Sequence, residues 1–139
     1  MNILVIDAQG GGIGRQLVGK LLERIPEADI VAAGTNSMAT NAMIKAGAKK
    51  AATGENAIRY CASQAEIITG PIGILVANAM LGEISPAIAE SVGSSTAPKV
   101  LIPTAHCNTI IAGTKALSVK DSIEDAVDRI VRLYGGEDN

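Results

Sequence analysis

The chain contains no phenylalanine and no tryptophan, and only two tyrosines, Tyr60 and Tyr134. Yet 47% of its 139 residues are hydrophobic, so a core exists and must be built from Ile, Val, Leu, Ala and Met. That palette suits helices packed closely on a sheet, and the length fits one domain, 1–139. Histidine is almost as scarce: His106 is the only one, beside two cysteines, Cys61 and Cys107. So scattered a set lacks ligand spacing, and no metal site is expected. Charge of one sign is lacking too. The formal net charge is −2 with no basic run, which argues against nucleic acid or an anionic membrane as partner. The longest uncharged stretch, Ile67 to Gly82, is shorter than the ~20 residues of a membrane helix, and Pro71 interrupts it. The N-terminal 1-MNILVIDAQ lacks the charged and long apolar regions of a signal peptide, so a cytoplasmic protein with free thiols is expected.

What is present is alternation. Apolar runs at Ile3 to Ile6, 29-DIVAAGT-35, 49-KKAAT-53, 66-EIITG-70 and 99-KVLIPT-104 read as strands buried on both faces. Helical patterns lie between them. Leu17, Leu21, Leu22 and Ile25 share one face before Pro26. Asn36 or Ser37 caps a second helix, and a third begins near Glu55. A fourth is expected over Ile72 to Leu81. Ser85 then Pro86 opens a fifth, and Ser118 with Asp121 opens the last, with Val119, Ile123, Val127, Ile130 and Tyr134 on its buried face. This is the grammar of a three-layer α/β fold with a mostly parallel sheet of five to six strands. A sixth run, 109-TIIAG-113, follows the fifth after only His106 to Asn108. That is too short for a parallel crossover and predicts an antiparallel edge strand.

Between the first strand and the first helix lies 8-AQGGGIGRQL-17, with Gly10, Gly11, Gly12 and Gly14 within five positions. A helix N-terminus presents unpaired N–H groups, and glycines let a phosphate approach them. A tight turn is the plainer reading. The segment 7-DAQGGGIG-14 resembles the T-G-x-x-x-G-I-G loop of short-chain dehydrogenase-like Rossmann domains, matching at Gly12, Ile13 and Gly14. Asp7 replaces the Thr and Ala8 the first Gly. The resemblance implies NAD or NADP at this loop. The family's Tyr-x-x-x-Lys pair is missing, since Gln64 follows Tyr60 and Asp138 follows Tyr134. The acid expected about 20 residues beyond the loop is missing as well. The window 11-GGIGRQ-16 also resembles the deviant Walker loop of partitioning-type ATPases, but Arg15 and Gln16 replace its lysine and hydroxyl. As a whole the chain resembles a family of small bacterial Rossmann-like proteins known as a domain of unknown function. The segments 3-ILVIDAQGGGIGRQLV-18, 34-GTNSMAT-40, 53-TGENA-57, 70-GPIGI-74 and 99-KVLIP-103 carry that resemblance.

In an open α/β sheet, ligands bind beyond the carboxyl ends of the strands. Candidate cofactor-binding residues there are Asp7, Gly10, Gly11, Gly12, Ile13, Gly14 and Arg15 for the phosphate, and Gly34, Thr35, Asn36 and Ser37 for a ribose. Gly70 and Pro71 allow a close approach to the ring. Glu55, Asn56, His106 and Asn108 are further candidate ligand contacts, each with a plainer reading as helix start or polar loop. Cys107 beside His106 points to the opposite face in an extended segment and makes no nucleophile–base pair. No catalytic pair is visible. The expected function is binding of a nucleotide-type ligand, NAD or NADP, as a sensor or accessory subunit in a homodimer. A small enzyme acting on a phosphorylated or acidic metabolite through Asp7, Glu55 or His106 is the alternative, and a ligand-free structural subunit is another.

Overall fold

The computed structural model describes residues 1–104, 109–113 and 118–137. Its elements run β1 (Asn2–Asp7), α1 (Gly12–Arg24), β2 (Asp29–Gly34), α2 (Ser37–Lys45), β3 (Lys50–Thr53), α3 (Glu55–Gln64), β4 (Ile67–Pro71), α4 (Pro86–Ser94), β5 (Lys99–Ile102) and α5 (Val119–Tyr134). The five strands form one sheet in the order β3-β2-β1-β4-β5, and every pairing is parallel. The chain winds outward from β1 to β3, then returns to the other side of β1 for β4 and β5. That reversal leaves a switch point between the carboxyl ends of β1 and β4.

The strand β1 is central, and its sequence fits the position. Ile3, Leu4, Val5 and Ile6 are all completely buried. Successive side chains of a strand point to opposite faces. Ile3 and Val5 thus join a core with Leu17 and Leu21 of α1, Met43 of α2 and Ile123 and Ile130 of α5. Leu4 and Ile6 join the other core, with Ile58 of α3 and Ile88 and Val92 of α4. At about 1.5–3 kcal/mol for each fully buried side chain, this one strand anchors both layers. Helix starts follow the cap signals. Asn36 accepts from Ala39 N–H, Ser85 from Ile88 N–H and Ser118 from Asp121 N–H. On α5 the buried face runs through Ser122, Ile123, Ala126, Val127 and Ile130, while Val119 at its start is exposed.

Two expectations are corrected. The sheet is five-stranded and wholly parallel, with no antiparallel edge strand at 109–113. Ala112 and Gly113 form a turn, and Ile110 is 96% exposed. A β-branched run becomes a strand only where a sheet receives it. Here Ile111 instead lines a groove between β5 and α5, with Val100, Ser122 and Ala126. The second correction concerns Ile72 to Leu81. Only Ile72–Leu75 forms a helical turn, of the 3-10 type. Asn78, Met80 and Leu81 then adopt φ of 67°, 57° and 58°, which no α-helix contains. The run is apolar because Ile74, Ala79 and Met80 sink separately into the core on the α3–α4 side, joined by Ile84.

Candidate functional site

The glycine loop leaves the end of β1 and enters α1 at the switch point. Asp7 organises it from below. Its Oδ1 accepts from Ala8 N–H at 2.8 Å, and its Oδ2 accepts from Gly14 N–H at 2.7 Å. The side chain is buried. Burial pushes the carboxyl above its usual range, against the opposing hydrogen bonds from the Gly14, Ala8 and Ile13 backbone, and the negative charge of Glu83 adds to the rise. Both oxygens of Asp7 are thus spent on the loop itself. The acid closes the turn and faces the first turn of α1, where a negative charge is favoured.

The four glycines divide into two kinds. Gly11 has φ +73°, and a Cβ there would lie 2.8 Å from the Ala39 Cα and 2.9 Å from the Ala39 carbonyl oxygen. At Gly14 a Cβ would meet the Met43 sulfur at 2.6 Å and the Asp7 Cβ at 2.9 Å. These two let α1 and α2 close on the loop. Gly10 and Gly12 differ: a Cβ on either would meet nothing within 4 Å, and neither has a φ that resists side chains. Both are exposed. Among the described residues, their N–H groups meet no acceptor. Neither packing nor backbone conformation explains why these two positions are glycine.

A shallow crevice of about 170 Å³ opens over them, lined by Asp7, Ala8, Gln9, Gly10, Gly11, Gly12, Ile13, Pro71, Met80 and Thr104. The fold thus brings the β1 loop together with Pro71 at the end of β4. Gly70, just before it, has φ +152°, and a Cβ there would strike the Ile6 carbonyl. Its bareness serves the β1–β4 contact. A larger cavity, about 550 Å³, lies at the opposite end of the sheet among Pro26, Asp29, Gly47 and Lys50. It joins the turns that precede β2 and β3, and its charged lining is exposed and partly paired, Lys50 with Asp29.

The 34–37 loop is tied to the glycine loop by a residue outside the sequence expectation. Oε1 of Glu83 accepts from Gln9 N–H at 2.8 Å, Thr35 Oγ1 at 2.6 Å and Asn36 Nδ2 at 2.9 Å. Asn36 Nδ2 also donates to the Gln9 carbonyl at 3.0 Å. Burial alone would raise the Glu83 carboxyl, but the hydrogen bonds from Thr35, Gln9 and Asn36 outweigh it and hold the group below its usual range. The segment delivering Glu83 is closed by its own backbone: Asn78 N–H donates to the Ile84 carbonyl, and Ile84 N–H to the Ala79 carbonyl. The signal in the sequence was slight, since Glu83 is merely the charge that ends the long uncharged stretch.

The other candidates are dispersed. Gly34 lies against Thr40 Oγ1. Arg15 and Ser37 are exposed and do not line the crevice. Glu55 accepts from Ser85 Oγ at 3.1 Å, linking the starts of α3 and α4, and Asn56 is exposed beside it. His106, Cys107 and Asn108 lie outside the described residues. Among the described residues no three His, Cys, Asp or Glu side chains cluster to hold a metal ion, and no helix is long and apolar enough to cross a membrane.

Comparison with known proteins fits this picture of a fold without an assigned reaction. The family model described as "Domain of unknown function (DUF3842)" matches residues 2–135, so the chain belongs to that family. No curated protein matches it. Among solved structures it is similar to a dodecameric FMN-dependent Ubix-like decarboxylase from Escherichia coli O157:H7. The TM-score is 0.52 at 15% identity, covering 97% of this chain and 95% of the other. It is also similar to AibC, with a TM-score of 0.48 at 15% identity, covering 97% of this chain and 39% of that one. At such identity the likeness shows the α/β architecture.

Proposed function

We propose that this member of the DUF3842 family binds a phosphate monoester of the nucleotide type, with the phosphate on the backbone N–H groups of Gly10 and Gly12. The observation that carries this reading is the pair of glycines whose missing side chains would meet nothing among the described residues. Gly10 precedes and Gly12 opens a helix of 13 residues, at the switch point, and both line the crevice. A dinucleotide fits less well. Asp7 occupies the Ala8 and Gly14 amides and Glu83 occupies the Gln9 amide. What remains matches one phosphate rather than the pyrophosphate of NAD or NADP. That count moves the reading toward a mononucleotide, the class to which the FMN of the decarboxylase belongs. Ile13, Pro71 and Met80 offer apolar surface next to the phosphate. A crevice of about 170 Å³ is smaller than the ~300–1,000 Å³ of enclosed ligand sites, so the ring lies partly outside it.

A second copy covering that ring is the homodimer we favour. Leu81, at the tip of the segment beside the crevice, is 99% exposed. Sedimentation at monomer mass, with and without ligand, would count against the dimer. The protein acts as a sensor or accessory subunit in this reading, because the acids offered for catalysis are engaged: Asp7 with backbone amides and Glu55 with Ser85.

The test is thermal unfolding and amide NMR against inorganic phosphate, AMP, FMN, NAD and NADP. A monoester at 100 times its dissociation constant stabilises the native state by about 2.7 kcal/mol and moves the Gly10 and Gly12 amide signals. The Gly12→Ala variant keeps the fold and loses that response. If no phosphate compound shifts either readout, or if the shift survives Gly12→Ala and Gly10→Ala together, the loop is only a turn.

A further inference from the structure

Strand β2 ends in Gly34 followed by Thr35, without the acid that reads a ribose in many doubly wound folds. The structure supplies a carboxylate there from elsewhere. Glu83 Oε1 sits 2.6 Å from Thr35 Oγ1, at the carboxyl end of β2. The same oxygen takes the Gln9 and Asn36 donors, so the group is held from three sides. Oε2 accepts from none of the donors among the described residues. Gln9 lines the crevice and is the neighbour of Gly10, so the carboxylate is hydrogen-bonded to the loop one residue before the phosphate position, although Glu83 does not itself line the crevice.

The segment bearing Glu83 holds its shape at a cost. Three non-glycine residues, Asn78, Met80 and Leu81, take left-handed backbone angles within four positions. Such conformations are strained for residues other than glycine and persist where surrounding structure enforces them. Here the enforcement comes from the buried Ala79, Met80 and Ile84 and from the carboxylate's three hydrogen bonds.

We propose that Glu83 is a specificity-determining residue whose Oε2 accepts hydrogen bonds from the vicinal hydroxyls of the sugar that carries the phosphate. A fixed carboxylate accepts from a diol and repels a second phosphate at the same place. The site therefore takes sugars with free hydroxyls and rejects 2′-phosphorylated ones. This inference rests on the phosphate site at Gly10 and Gly12.

The experiment titrates wild type, Glu83→Gln and Gly12→Ala with inorganic phosphate, AMP, 2′,3′-dideoxy-AMP and adenosine 2′,5′-bisphosphate, followed by amide NMR. Glutamine keeps an acceptor for the three donors and removes the charge, so the fold survives. Wild type is expected to bind AMP at least about tenfold tighter than the dideoxy or bisphosphate compounds, as a hydrogen bond to a charged group implies. Glu83→Gln erases that difference, and any gain from the lost charge is shared by inorganic phosphate, AMP and dideoxy-AMP alike. If wild type binds AMP and dideoxy-AMP equally, with both lost in Gly12→Ala, the sugar-reading role falls and the phosphate site stands. If the preference for AMP over the dideoxy compound persists in Glu83→Gln, the carboxylate does not read the sugar and the proposal is overturned. If neither phosphate nor AMP binds wild type, both readings fall together.

Discussion

A side chain at Gly11 or Gly14 would run into α2 or the end of β1, whereas one at Gly10 or Gly12 would meet nothing among the described residues, and the two pairs lack side chains for different reasons. On the inner side a methyl group would collide with Ala39, Met43 or Asp7. On the outer side it would meet only open space. Glycine richness in a loop is therefore not one signal. The inner pair is explained by the fold, whereas nothing among the described residues explains the outer pair. Asp7 and Glu83 show a parallel division. Asp7 has both oxygens engaged with the loop, while Glu83 anchors one oxygen and leaves the other.

The sharpest way to break this distinction is to add a methyl group on each side. Gly70→Ala, an inner position at the end of β4, drives a Cβ into the Ile6 carbonyl at φ +152°. It is expected to cost about 3 kcal/mol or more, since backbone on a central strand yields little. Urea unfolding measures this, and a loss under 1 kcal/mol would show that the β1–β4 contact relaxes freely. Gly11→Ala comes next, at about 2 kcal/mol, from its left-handed backbone and the crowded Ala39. Gly12→Ala has the opposite sign. In the first turn of α1 an alanine without neighbours is expected to raise stability, by up to about 1 kcal/mol. Its loss of phosphate binding would then come with no loss of fold. Equal destabilisation by Gly11→Ala and Gly12→Ala would erase the contrast.

The smallest effects separate the two acids by pH. Folded Asp7 holds its proton above the ordinary value of 3.8, so the folded state binds a proton that the unfolded chain has released. Its contribution to stability falls as pH rises from 3.8 through the raised folded value. Glu83 runs the other way: it stabilises above its ordinary 4.5 and loses that contribution as pH falls through its lowered folded value. Stepped-pH unfolding is expected to show a flatter slope just above 3.8 for Asp7→Asn and a flatter acid limb below 4.5 for Glu83→Gln. Profiles parallel to wild type in both variants would mean that neither acid senses its environment as described.

Much of the scaffold was legible because its signals are local. The buried runs of β1, β2 and β4, the caps at Asn36, Ser85 and Ser118, and the loop before α1 each announce themselves within a few residues. The misreadings have a common cause. A continuous apolar run has no period, so Ile72 to Leu81 does not reveal that its side chains are buried one by one in a turn-rich segment. At 109–113 the β-branched pair Ile110 and Ile111 suggests a strand, but nothing local says whether a sheet edge accepts it. Glu83 was invisible for the strongest version of this reason. Its partners Gln9, Thr35 and Asn36 lie 74, 48 and 47 residues away, and only the winding of the sheet brings them together.

That winding also fixes an order of events during synthesis. The strand β1 leaves the ribosome first, yet it needs β2 on one side and β4 on the other. Its Ile3 pairs with Ile67, so the N-terminal strand has one bare edge until the middle of the chain has appeared. Pairings of such long separation close slowly, and an emerging strand edge of Ile, Leu and Val is prone to association in the meantime. A nascent chain halted before residue 67 is thus expected to expose its most hydrophobic strand, whereas one extended through α4 has both sides of β1 satisfied. The crevice, which needs the ends of both strands, can open only after that point.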